Sequence, residues 1–260
     1  MKGTNDLFLL INSMSKSEKR FFKLSASIHS GEKNYLVLFN AIEKQKEYNE
    51  ERIKRELKDR SFADNIAYEK NYLFKQVLKT LRNYHSGKSV DFQLTEMLEE
   101  ISILHSRGLY KICEKTIVKA KKIAVDHERN AFLLELLKWE WDLMHSRFAI
   151  DEVEKNVKGI LVQYETIMSK ISNLNKYKAI ASDVFVNTYK GAHIRGKEQQ
   201  MNYSKLAALS LLSEESNALS YDARSYFYLL KSNLYFVRRD WKNAFSSTVK
   251  LAGLLERQPS

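Results

Sequence analysis

Apolar side chains recur every third or fourth residue through most of this chain. Leu94, Met97, Ile101 and Leu104 keep that spacing, and Ile112, Ile117, Ala120, Ile123 and Ala124 continue it. Upstream, Leu73, Phe74, Val77, Leu78 and Leu81 form an apolar face largely opposite Lys75, Lys79 and Arg82. A period near 3.6 puts such residues on one side of an α-helix. The pattern predicts helices over 4–13, 16–27, 33–46, 49–59 and 64–85. It then predicts four helix pairs: 92–106 with 109–126, 130–146 with 150–173, 175–193 with 197–212, and 219–238 with 240–256.

The ends of these segments carry their own signals. Ser15 and Glu18 form a capping box ahead of KRFFKLSASI. Five of the six histidines stand in related phrases: HSGEK at His29, HSGKS at His85, HSRGL at His105, HSRFA at His145 and HIRGK at His193. Glycine tolerates the left-handed conformation just past a last helical turn, and a basic side chain there complements the helix dipole. The phrases therefore mark helix C-termini, and His127 also falls near one.

Composition narrows the fold class to all-α. One proline, Pro259, and 8 glycines leave little punctuation for strands or hairpins. Arg107, Arg147, Arg195 and Arg239 each stand in a turn between two periodic segments, some 40 to 48 residues apart. A recurrence on that scale marks stacked helical hairpins. Residues 1–88 lack the rhythm and form an N-terminal helical module, with the hairpin array over 89–260.

Within the array, RGLYKICEKTIVKAKKI (Arg107 to Ile123) resembles the second half of a tetratricopeptide repeat. Gly108 takes the turn, Tyr110 starts the second helix, and Cys113 and Ala120 take the small-residue places. RRDWKNAFSSTVKLA (Arg238 to Ala252) repeats the pattern with Asp240, Trp241 and Ala244. The resemblance covers roughly residues 92–260, with repeats longer than the family's and without its usual proline. It implies an α-α superhelix whose concave groove is built mainly from first helices. Carried over place by place, the family's groove positions are Ser102, His105, Glu135, Lys138, Asp142, His145, Asp183, Lys190, His193, Tyr226 and Asn233.

Charge and cysteine content bound the setting. The net charge is +11, with its excess in 1–91 and 174–260 and near balance between them. Such a surface suits an anionic partner or serves solubility alone. Cys113 is the single cysteine, so no intrachain disulfide forms and a reducing compartment is expected. The start of the chain lacks the features of a signal peptide, and no apolar run reaches the roughly 20 residues of a membrane span. These features predict a cytoplasmic protein with no membrane partner.

Little in the sequence resembles an active site. Gly87-Lys88-Ser89 ends like a phosphate-binding loop, but Arg82 stands where the first glycine belongs and a helix leads in. Gly87 instead reads as a helix cap, with Ser89 or Asp91 capping the next helix. No HExxH, CxxC or GxSxG spacing occurs, and Cys113 falls at a buried helix–helix position. His105, His145 and His193 share the ends of first helices, where capping accounts for them better than a shared metal. Trp139 and Trp141 face different sides of one helix and read as packing residues.

The expectation is a non-enzymatic scaffold, without a cofactor, that binds a protein or peptide in the superhelical groove. The alternative is nucleic-acid binding by the N-terminal module. Lys75, Lys79 and Arg82 lie on one helical stripe, behind two shorter helices in a helix-turn-helix-like order.

Overall fold

The computed structural model describes residues 5–27, 33–60, 65–87, 89–146, 150–191 and 209–256. Among these residues every regular element is helical. They divide into two compact units, Met1–Phe92 and Gln93–Ser260.

The first unit contains α1 (Asp6–Ser13), α2 (Lys16–Ser27), α3 (Asn34–Glu43), α4 (Glu50–Glu56) and α5 (Ile66–His85). The expected capping box starts α2: the Ser15 backbone N–H donates to Glu18 at 2.6 Å, and the Glu18 N–H donates to Ser15 Oγ at 3.2 Å. Glu18 also meets His85 Nε2 at 2.6 Å, which ties the start of α2 to the end of α5. The Ser15 and His85 hydrogen bonds hold the Glu18 carboxyl below its ordinary range. The core closes around Ile11, Phe22, Leu38, Phe39, Ile42, Ile53, Leu73 and Val77, with α3 and α2 packed on α5. At its edge Lys70 donates to both Tyr48 Oη and Glu50, each at 2.7 Å. Gly87 follows α5 at φ +70°, the left-handed stop expected there. Ser89 then accepts from the Phe92 N–H, capping α6 (Val90–Ser106).

The second unit continues through α7 (Tyr110–Asp126), α8 (Asn130–Ser146), α9 (Ile150–Gly191), α10 (Tyr221–Val237) and α11 (Trp241–Glu256). Leu94, Met97 and Ile101 of α6 and Ile117, Ala120 and Ala124 of α7 are buried as the spacing predicts, but Ile112 is 52% exposed and Cys113 beside it is buried instead. From α7 onward, each helix packs against the next in the chain. Three of the turns share one construction, a bond from an N–H to the carbonyl five residues back. It links Leu109 to Leu104, Arg129 to Ala124 and Asp240 to Tyr235, at 2.7–3.0 Å. The left-handed residue is Gly108 in the first, Glu128 in the second (φ 48°) and Arg239 in the third (φ 61°). These are helix stops of the Schellman kind, two of them without glycine.

One part of the predicted pairing is wrong. The expected break at 173–175 does not occur, and α9 runs unbroken for 42 residues, about 63 Å at 1.5 Å per residue. Its apolar line passes straight through the expected turn: Ile160, Ile167, Tyr177, Ile180 and Val184 are buried. No proline interrupts it. Asn173, expected as the last residue of helix 150–173, is a buried mid-helix residue whose amide donates to the Asn217 carbonyl at 2.9 Å and accepts from the Leu219 N–H at 3.1 Å. Tyr177, fully buried, donates to the Leu211 carbonyl at 2.6 Å. The segment before α10 is thereby pinned to α9. It contains two short 3-10 turns, Ser210–Leu212 and Glu215–Asn217. The rest of the predicted helix 197–212, up to residue 208, lies outside the described residues.

Candidate functional site

The three central helices of the second unit enclose a groove. Lys121 of α7 reaches across to α8 and α9, donating to Glu140 at 2.5 Å and to Gln163 Oε1 at 3.0 Å. Glu114 to Val118 lie opposite Asn156 and Ile160, while Lys121 to Glu128 lie opposite Val162 to Lys170. Helices α7 and α9 therefore run parallel, with α8 antiparallel beneath them.

The Lys121 bridge stands between two hollows. One, of about 170 Å³, is lined by Ile117, Val118, Leu143, Met144 and Ile160 together with Glu114, Glu140 and Asn156. The other, about 220 Å³, is floored by Leu133, Leu137 and Ile167 and rimmed by Val125, Val162, Thr166 and Lys170. Val118, Val125 and Val162 are 60%, 58% and 61% exposed. Helix periodicity accounts for the buried floor, and the three exposed valines leave apolar surface at the edges of two hollows, one of mixed lining and one mainly apolar.

The first unit has a cleft of different chemistry, about 900 Å³, between α2, the start of α3 and α5. Tyr35, Tyr68 and Tyr72 supply its aromatic lining, and Ser25, Asn34, Gln76, Thr80 and Asn83 its hydrogen-bonding groups. Lys33 and Lys79 add positive charge, and Glu69, the lining carboxylate, accepts from the Asn34 amide at 3.4 Å. The Tyr35 and Tyr72 rings meet edge to face with centroids 5.6 Å apart. Burial, and secondarily Tyr72, push the Tyr35 phenol up, so it stays neutral and available as a donor.

The residues expected to line the array groove have varied surroundings. Ser102 and Asp183 are exposed, and Glu135 pairs with Lys138 at 3.4 Å. His105 meets Ser146 Oγ at 3.0 Å and packs against Trp139 and Tyr110. His145 instead bonds the Trp141 carbonyl of its own helix at 2.9 Å and lies against that indole. The Asp142 carbonyl accepts from Ser146 at 2.8 Å. Tyr226 and Asn233 share a cleft between α9 and α10 with Phe185 and Leu229. His193 lies outside the described residues, as does the side chain of Lys190. Lys75, Lys79 and Arg82 are all exposed on α5.

Cys113 is buried, and its thiol donates a hydrogen bond to the Ile101 carbonyl at 3.7 Å. Among the described residues no group of three or more His, Cys, Asp or Glu is placed to hold a metal ion. No helix among them is long and apolar enough to cross a membrane. The parallel placement of α7 and α9 makes the Lys121 bridge and its hollows, and no spacing within one helix signals it. Tyr68 and Tyr72 did carry a sequence signal, since they extend the Lys75–Lys79–Arg82 stripe by two helical steps. Comparison of the chain with protein-family models, curated proteins and solved structures finds no match.

Proposed function

We propose that the chain is a non-enzymatic scaffold of tetratricopeptide-like stacked hairpins that binds a segment of a partner protein along the α7–α8–α9 groove. The observation that carries this reading is the pair of hollows on either side of the Lys121 bridge, one of mixed lining and one mainly apolar. Val118 and Val125, one on each hollow, are seven residues apart on α7, a rise of about 10.5 Å. An amphipathic helix presents residues i and i+7 at the same interval, so two of its apolar side chains fill both hollows at once. Lys121 lies between them, where a carboxylate or carbonyl of the ligand completes its donor set. The exposed valines supply apolar area that becomes buried on binding, at about 25 cal/mol per Å².

Selection of displayed twelve-residue peptides on the full chain tests the reading. The expected sequences carry large apolar residues seven apart with helical spacing between them. Recovery of peptides lacking that pair overturns the groove assignment.

A further inference from the structure

We propose that the cleft of the first unit is a binding site for single-stranded RNA, independent of the groove in the second unit. Tyr68, Tyr72, Lys75, Lys79 and Arg82 follow one another along α5 at intervals of four, three, four and three residues. That interval keeps them on one stripe of the helix, about 21 Å long. The stripe is divided by chemistry, with aromatic rings at one end and cations at the other.

Tyr68 is 70% exposed and Tyr72 40%. Isolated exposed tyrosines need no explanation, but these two stand beside Tyr35 on the wall of one open cleft. Lys75, Lys79 and Arg82 are exposed, and none has an ion-pair partner among the described residues. Elsewhere in this unit some cations are engaged, Lys23 with Glu43, Arg52 with Glu56, and Lys54 with Glu50 and Glu51, while Lys16, Arg20, Lys44, Lys46 and Lys58 are exposed without an ion pair among the described residues. What sets the stripe apart is placement: its unpaired cations continue a line of exposed aromatic rings on one helix.

Those two groups match two parts of one ligand. Phosphodiesters take the cations, and unpaired bases stack on tyrosine rings. A duplex hides its base faces, so the tyrosines would have nothing to stack on. A helix-turn-helix reads bases from the first turns of its recognition helix, but there α5 presents Tyr68, Glu69 and Tyr72 beside a Lys70 already engaged by Tyr48 and Glu50, and its exposed cations come later. An acidic peptide satisfies the lysines and leaves the rings unused. The amide and hydroxyl lining, Ser25, Asn34, Gln76, Thr80 and Asn83, offers both donors and acceptors to base edges and to the ribose 2′-hydroxyl. That last group favours RNA over DNA.

Fluorescence anisotropy of a labelled twelve-nucleotide oligo-U, titrated with the full chain at several salt concentrations, is the test. Three phosphate contacts predict a slope of log affinity against log salt near −2. Replacing Lys75, Lys79 and Arg82 together by Ala flattens it. Tyr68→Ala weakens binding at least fivefold, whereas Tyr68→Phe retains it because the ring face remains. Since Tyr68 is exposed, neither change threatens the fold. Equal affinity for a twelve-base-pair duplex or for poly-glutamate overturns the site, as does indifference to Tyr68→Ala or absence of binding at low salt. Equal or tighter binding of oligo-dT overturns the assignment to RNA.

Discussion

The Glu128 carboxylate accepts a hydrogen bond from the Tyr221 backbone N–H at 2.6 Å. The first residue closes the α7–α8 turn and the second opens α10, so the contact joins parts of the unit far apart in sequence. It sets a negative charge at a helix N-terminus, where unpaired N–H groups and the dipole favour one. Ser220 caps the same turn, accepting from the Ala223 N–H, and Arg224 approaches the second carboxylate oxygen at 3.5 Å. Glu128 holds this place despite a left-handed backbone at φ 48°. Glu128→Ala loses the carboxylate and keeps the strain, so a loss of about 1–2 kcal/mol is expected in urea unfolding. Glu128→Gly relieves the backbone and should lose less.

The other two left-handed turn residues give a paired prediction. Gly108→Ala puts a β-carbon at φ +70° and should cost about 1 kcal/mol, although nothing lies within 4 Å of the added atom. Arg239→Gly does the reverse at φ 61°, and thermal unfolding should shift upward by a degree or more. Opposite signs at two turns with the same hydrogen bond would isolate the backbone contribution.

Acid should loosen the first unit through Glu50. Its hydrogen bond from Lys70, helped by Tyr48, holds the carboxyl down at about 2 against burial that would raise it. The folded state therefore prefers the carboxylate, and the resulting stability is complete above about pH 4.5 and lost as pH falls toward 2. Lys70→Met removes the partner, so the stability gap between wild type and variant should close across that window. For a pair this near the surface the gap at neutral pH is about 1 kcal/mol. A gap independent of pH would assign the loss to packing of the Lys70 stem against Tyr48.

Asn173 should behave as a core residue rather than as an exposed helix end. Removing its side chain leaves the Asn217 carbonyl and the Leu219 N–H without partners beneath α10. Asn173→Leu should cost about 2–3 kcal/mol, and Asn173→Asp less, because the acceptor for Leu219 survives. Hydrogen exchange at Leu219 reads the acceptor directly and should speed up in the first variant alone.

Most of the helical framework was legible in the sequence, and the reasons are local. Ser15 and Glu18 announced α2, Gly87 and Gly108 announced helix ends, and apolar periodicity placed α6, α7, α8, α10 and α11 within a few residues. Length was illegible in α9, because asparagine looks the same whether it ends a helix or satisfies another segment from inside one. The candidate grooves were harder still. Val125 and Val162 share a rim only because α7 and α9 lie parallel over α8, a relationship fixed by packing between segments far apart in the chain. The tyrosine stripe was within reach, since Tyr68 and Tyr72 keep the interval of Lys75, Lys79 and Arg82. Glu69 stands between them in the sequence, and the Asn34 amide engages its carboxylate.

The groove claim is tested most directly by affinity. A peptide recovered by selection is titrated against wild type, against Val125→Arg with Val162→Arg, and against Val249→Arg on the exposed face of α11 as control. All three positions are more than half exposed, so circular dichroism should show one fold throughout. The double variant should lose at least tenfold in affinity while the control binds as wild type. Equal affinity across the three proteins would contradict the groove.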